Sequence, residues 1–273
     1  MSFRRFHRLG LASALSPRFL PLLAEARRLG ERIEAEVHVL HAGVVDADKQ
    51  QIFDKAFRSL GYAEPPALHV SGGGPVGVLV EAANHLNIDL LMLGALEKEA
   101  GGRNFLGNVA RSLLREADFS LAMFTRPQLE ATRFRNIVVV CDFSELAREA
   151  LQWAMRLGDQ DQAASIYVAT LVTVFDQMRM GGENQRATIE NVEQSLEEFV
   201  KSVGDCHADV TVRCIEGTTG FAMCDFVESV KADLLVIPSA GPGGAEILPH
   251  GMDWLLHTIP TNLLVLRPER TRD

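Results

Sequence analysis

Apolar residues in this chain fall in two alternating patterns. Short unbroken runs, LLML at 90–93, IVVV at 137–140, LLVI at 234–237 and LLVL at 263–266, read as strands buried on both faces. Between such runs, apolar residues recur at three- and four-residue spacing. Ile52, Phe53, Ala56, Phe57 and Leu60 do so over 48–60, and Ile189, Val192, Leu196, Phe199, Val200 and Val203 do so further on. That spacing marks one face of a helix. The pattern predicts strands over 6–12, 36–41, 68–70 and 121–124 in the first half, and over 136–141, 165–171 and 210–215 in the second. Helices are expected from a turn at 13–17 through 29, over 76–86, over 145–157 and within 217–230, with a last one opening near Gly251. Gly30 and Gly158 stand where helix C-cap glycines belong. Strands alternating with helices at this rhythm call for an α/β fold, with doubly wound parallel sheets joined by right-handed crossovers.

The alternation runs through twice. Ser16 corresponds to Ser144 and Leu29-Gly30 to Leu157-Gly158. One residue further out of step, 37–41 corresponds to 166–170, and Asp89-Leu90-Leu91 corresponds to Asp233-Leu234-Leu235. At 273 residues the chain suits two domains of ordinary size. We place them at 1–127 and 136–273, with the polar stretch 128–135 as a linker.

Composition narrows the class. No apolar run approaches the ~18–20 residues of a membrane span, and the segment 9–15 is too short and interrupted for a secretory leader. A cytoplasmic protein is expected. A net charge of −9 argues against sequence-independent nucleic-acid binding, which needs a basic face. Cys141, Cys206, Cys214 and Cys224 match no zinc or disulfide spacing.

The chemistry concentrates at 232–268. A buried strand runs into a loop containing Gly241, Gly243 and Gly244, then toward a helix near Gly251 and a closing strand. Free backbone N–H groups backed by a helix dipole would make an anion site there. A second version lies at 88–127.

The strand order, an Asp-containing turn after the first strand and the loop pattern G-x2-G-x9-G-S/T resemble the universal stress protein family in its tandem form. VVVCDFSELAREALQWAMRLG (138–158) and DLLVIPSAGPGGAEILPHG (233–251) carry the resemblance most strongly. It implies a fold related to adenine-nucleotide α-hydrolases, pairing through the last strands, and in one branch of the family ATP binding. Here 121–124 and 263–266 would pair within one chain as an internal pseudo-dimer, and further homodimerisation is left open.

Carried over residue by residue, Asp142 matches the acidic residue facing adenosine, and Leu171 the residue whose backbone meets adenine. Gly241 and Gly251 match loop glycines, and Gly243 lies in the same loop. Pro238 replaces the first glycine, and Met252 replaces the Ser/Thr whose hydroxyl would bind phosphate. Losing a donor to a charged partner costs about 1–3 kcal/mol, which is one or two decades of affinity. ATP or AMP is thus expected, weakly, in the second repeat. In the first repeat, Ala14 stands at the Asp position, Glu97 at the second glycine and Asn108 at the hydroxyl residue, while Gly94 and Gly107 remain. No nucleotide is expected there in the family manner.

Plainer roles compete. Asp142 could cap the helix starting near Glu145. His38 and His41, three apart on a strand, face opposite sides and cannot share a local metal. His250 and His257 lie near the second loop, and Cys141 reads as a buried hydrophobe. The stretch 175–184, with Met178, Met180, Gly181 and Gly182, reads as a surface loop near the pocket. No P-loop motif occurs, nor a nucleophile with base and orienting partner, so no enzyme activity is expected. Two functions follow: a regulatory stress-response protein with a degenerate adenine-nucleotide site acting on an unidentified protein partner, or an interaction module of the same fold without nucleotide.

Overall fold

In the computed structural model the apolar runs become strands of one ten-stranded sheet. The structure describes residues 4–97, 104–130, 132–173, 185–217, 219, 221–242, 248–249, 251–256 and 258–270. The first half contains β1 (Arg8–Ser13), α1 (Phe19–Ile33), β2 (Glu36–Ala42), α2 (Ala47–Ser59), β3 (Ala67–Ser71), α3 (Pro75–His85), β4 (Leu90–Gly94), β5 (Leu96–Glu97), β6 (Asn104–Phe105), α4 (Asn108–Glu116) and β7 (Ser120–Phe124). The second contains β8 (Asn136–Val140), α5 (Glu145–Asp161), β9 (Ser165–Thr173), α6 (Gln185–Val203), β10 (Asp209–Gly217), α7 (Phe221–Ser229), β11 (Leu234–Pro238), a 3-10 turn (Asp253–Leu256), β12 (Thr258–Ile259) and β13 (Asn262–Leu266).

The sheet order is β10-β9-β8-β11-β13-β7-β4-β1-β2-β3. Within each half all neighbours are parallel, and the halves meet where β13 pairs antiparallel with β7, Leu264 opposite Ala122. The internal pseudo-dimer expected from the closing strands is therefore the architecture. Its seam is fastened at both ends by equivalent residues. Asn262 Oδ1 accepts from the Thr125 N–H at 2.9 Å, and Ser120 Oγ accepts from the Arg267 N–H at 3.1 Å. A small second sheet, β12-β6-β5, also joins the halves. Each face of the large sheet carries one core that crosses the seam: α1, α2, α5 and α6 cover one face, and α3, α4, α7 and the 3-10 turn cover the other.

The sequence repeat has local causes. Asp89 Oδ2 accepts from the backbone N–H of His7 and Arg8, and Asp233 Oδ2 does the same for Arg135 and Asn136. Each aspartate thus ties the start of one central strand to the start of its neighbour. Gly30 and Gly158 are not helix caps. Both lie inside their helices, which end instead at Glu34 and Gln162 in the left-handed conformation. The glycines serve close packing: a Cβ on Gly30 would sit 2.6 Å from Val37 Cγ2, and one on Gly158 would sit 3.2 Å from Ala163 Cβ.

The stretch 128–135 lies along α1. Buried Glu25 accepts from the Gln128 N–H and Thr132 Oγ, while buried Asp161 pairs with Arg32 at 2.8 Å and accepts from the Phe134 N–H. Ahead of β1, Phe6 stacks on Trp153 of α5 with centroids 4.6 Å apart, so the first repeat's leading segment packs on the second repeat's first helix. The helix expected near Gly251 is reduced to the four-residue 3-10 turn.

Candidate functional site

In an open parallel sheet, ligands bind outside the carboxyl ends of strands where the strand order reverses. Here that happens twice, between β1 and β4 and between β8 and β11.

At the first reversal the structure has a cleft of about 490 Å³, lined by residues that end β1, β2 and β4 and begin α1, α3 and α4. That volume lies in the range of small-molecule sites. Its walls are mainly hydrocarbon, with Leu22, Leu79 and Leu93 the largest aliphatic groups and Ala14 at the mouth. Gly94 lets one wall form, because a Cβ there would lie 2.8 Å from Leu22 Cδ1. α4 opens at Gly107, whose missing side chain leaves the first-turn N–H groups without a side-chain cap. Arg18 reaches across the edge and donates from Nη1 to the Ala95 carbonyl at 2.8 Å. His41, 7% exposed, holds its Nδ1 3.0 Å from the Ser13 carbonyl and packs its ring edge-on against Phe53.

The second reversal is built differently. Asp142 is exposed just past β8, and its Oδ1 accepts from the Ser144 N–H and Oγ. Ser144, not Asp142, caps α5, accepting from the Ala147 N–H. Leu171 is half-buried in β9 opposite Ile215, two residues before the strand ends. Gly241 and Gly251 both adopt positive φ, 81° and 75°, which glycine accommodates without strain. Gly241 also leaves room for Arg267, since a Cβ would lie 2.9 Å from Arg267 Nη1. Met252 is 1% exposed and belongs to the core with Trp254 and Leu255. Apolar side chains therefore fill the position where a phosphate-binding hydroxyl and helix start were sought. Gly243, Gly244, His250, His257 and 174–184 lie outside the described residues.

Two charged or ionisable groups border this second site. Arg267 is fully buried, donates from Nη2 to the Leu114 carbonyl at the end of α4, and has no described partner for Nε or Nη1. Burial pulls its pKa down to about 10, with Asp118 opposing. Cys141 is pushed up to about 11, by burial first and then by the neighbouring Asp142 charge, against a backbone hydrogen bond from Phe143. Such a thiol is protonated at neutral pH and inert, in keeping with the reading of Cys141 as a buried hydrophobe. Among the described residues, no group of three or more His, Cys, Asp or Glu could hold a metal ion, and no helix is long and apolar enough to cross a membrane.

The family model described as the universal stress protein family matches residues 20–125 and again 133–267. This chain belongs to the universal stress protein family. No curated protein matches it. Among solved structures, a universal stress protein from Archaeoglobus fulgidus is 18% identical, with a TM-score of 0.62 over 95% of this chain and 98% of that one. A universal stress protein from Pseudomonas aeruginosa is 14% identical, with a TM-score of 0.69 over 96% and 94%. A functionally unknown protein from the same organism is 13% identical, with a TM-score of 0.68 over 96% and 93%. These likenesses establish a shared tandem universal stress protein fold.

Sequence reasoning placed the candidate site in the second repeat and missed the first-repeat cleft. Gly94 and Gly107 were its visible signal. The small side chains of Ala12 and Ala14, which leave the space, resemble any other alanines in a sequence. His41 entered the sequence reading only to exclude a local metal site shared with His38, which faces the opposite side of the strand.

Proposed function

We propose that this universal stress protein family member is a cytoplasmic regulatory protein that performs no chemistry of its own and responds to a small molecule bound in the first-repeat cleft. The observation that supports this is the cleft itself, at a strand-order reversal and beside the uncapped start of α4. Occupancy would fix the ends of β1, β2 and β4 relative to α4, and a partner protein would read that surface. Ala110 lines the cleft from α4, so Ala110→Trp fills it. Native mass spectrometry of freshly purified protein should detect a bound small molecule that Ala110→Trp lacks. Equal retention by the variant would defeat this reading.

A second reading, an adenine nucleotide in the second repeat, is favoured by one feature. The exposed Asp142 carboxylate stands beside the strand ends with Leu171 on the neighbouring strand. The phosphate end fits less well, since buried Met252 offers no donor and the helix is a four-residue turn. AMP should accordingly bind about as well as ATP. Titration calorimetry with both nucleotides checks this, and Asp142→Ala should weaken binding about tenfold or more, the loss of roughly 1.4 kcal/mol. Undiminished affinity would remove Asp142 from the site.

A further inference from the structure

β2 and β3 bring two histidines and a carboxylate together at one edge of the large sheet. Leu40 belongs to the core under α3 and Val39 to the opposite core, so His38, two residues from Leu40, faces α3. On β3, Leu68 packs into the opposite core, which turns its neighbour His69 to the same side as His38. The two rings meet there, with His38 Nδ1 3.2 Å from His69 Nε2. Neither lines the cleft, so the pair stands apart from both sites described above.

The carboxylate decides which nitrogen of His38 is bare. Glu36 Oε2, which Arg8 also approaches at 3.8 Å, lies 3.5 Å from His38 Nε2. His38 is 7% exposed, and this nitrogen is buried with no hydrogen-bond partner among the described residues. A lone pair there would face a negative charge, so the proton belongs on Nε2, and Nδ1 keeps its lone pair. In the neutral pair His69 Nε2 then donates to it. Once the His69 proton moves to that ring's other nitrogen, both facing nitrogens carry lone pairs. Imidazole nitrogens sharing a tetrahedral ion at about 2.0–2.1 Å stand roughly 3.3 Å apart, close to the distance found. A carboxylate on the far nitrogen of a ligating histidine is the usual outer support of such an ion. Protons compete little for the pair near neutral pH, because burial, then His38 and His85, lower the His69 pKa, with Glu36 opposing.

We propose that His38 Nδ1 and His69 Nε2 bind a divalent first-row transition ion such as Zn²⁺ at the β2–β3 edge, with Glu36 orienting His38 and water completing the shell. Imidazole nitrogens select such ions over magnesium and calcium, which prefer oxygen. Two protein ligands make the site exchangeable, unlike the closed four-ligand shells of structural zinc.

The test titrates the full chain with Zn²⁺ at neutral pH and follows the histidine rings by long-range ¹H–¹⁵N NMR, which distinguishes the tautomers. Without metal, His38 and His69 should both carry the proton on Nε2. With one Zn²⁺ per chain, His69 should change to protonated Nδ1 while His38 keeps its proton on Nε2, and Mg²⁺ should change neither. Competition with a chelating dye should give a Zn²⁺ affinity weaker by about tenfold or more for His69→Gln, and by about tenfold for Glu36→Gln, which keeps both ligands. The affinity should be unchanged for His207→Gln, which removes an exposed ring beside Asp159. His69 lies on the sheet's edge strand, so its variant tests the site even where a change at buried His38 unfolds the chain. Zn²⁺ that perturbs only other histidines, or an affinity that His69→Gln leaves intact, overturns the proposal.

Discussion

Gly30 shows how one residue can be read correctly as important and wrongly as to why. In a helix interior, replacing glycine by alanine gains about 1 kcal/mol from backbone propensity. At Gly30 the added methyl would lie 2.6 Å from Val37 Cγ2 and 3.1 Å from the Ala35 carbonyl oxygen. Overpacking of that kind costs about 1–3 kcal/mol, and the carbonyl belongs to the turn that ends α1. Gly30→Ala should therefore lower the stability measured by urea unfolding. Gly77, inside α3 with nothing within 4 Å of its Cβ position, provides the opposite case: Gly77→Ala should raise stability by about 1 kcal/mol. Equal signs for the two substitutions would refute the packing role of Gly30.

The histidines make a second case at this scale. His38 on β2 places its Nδ1 3.2 Å from Nε2 of His69 on β3, while Glu36 lies 3.5 Å from His38 Nε2. Burial and the neighbouring His38 and His85 hold the His69 pKa below 6.5, with Glu36 opposing. Between that lowered value and about 6.5 the unfolded chain binds more protons at this site than the folded one. The contribution of His69 to stability therefore falls as pH drops through this window and is constant above it. An NMR titration should find the His69 ring titrating below 6.5, and His69→Gln should flatten the pH dependence of the urea midpoint over the same range. A His69 pKa at or above 6.5 would contradict this.

At the scale of elements, the central seam depends on few groups. Asn262 accepts from the Thr125 N–H and Oγ with Oδ1 and donates from Nδ2 to the Asp233 carbonyl, bridging β13, the residue after β7 and the start of β11. Removing that amide leaves a buried N–H without its partner, at a cost of about 1–3 kcal/mol. Asn262→Ala should show that loss in urea denaturation. Asn262→Asp, which keeps the acceptor but not the donor, should recover part of it. A loss below about 0.5 kcal/mol for the alanine variant would show the bridge to be incidental.

Most elements were legible because period and length agreed: LLVI and LLVL could only be buried strands, and Phe53, Ala56 and Phe57 do form the buried face of α2. The pairing of β7 with β13 was expected from the family resemblance, which implies pairing through the last strands, and the structure has it. The site was less legible, for physical reasons. Whether 251–256 becomes a helix start or a core plug depends on where Met252 and Trp254 point, and both are drawn into the core by tertiary packing. Ser144 rather than Asp142 caps α5 because the aspartate is engaged with Ser144 itself. The His38–His69 pair needed the register of β2 against β3, in which Leu40 faces His69, and sequence spacing carries no information about that register.

For the whole molecule, the question is whether two repeats unfold as two units or one. The halves share a continuous sheet, both cores cross the seam, and Phe6 of the first repeat stacks on Trp153 of the second with Arg4 beside Glu149 at 3.5 Å. Neither half would keep a covered edge strand alone, since β7 and β13 cover each other. One cooperative transition is therefore expected. The molecule supplies its own reporters, because both tryptophans, Trp153 and Trp254, lie in the second repeat, and His38 and His69 lie in the first. In a urea titration, tryptophan emission and the histidine ring signals should change at the same concentration. Phe6→Ala removes a fully buried ring at the junction, costing about 3–5 kcal/mol. It should move both midpoints down together and shift the Trp153 emission to the red. Two separated transitions in the unmodified chain, or a Phe6→Ala variant in which only the histidine signals move, would show that the repeats are joined in sequence and sheet but stable independently.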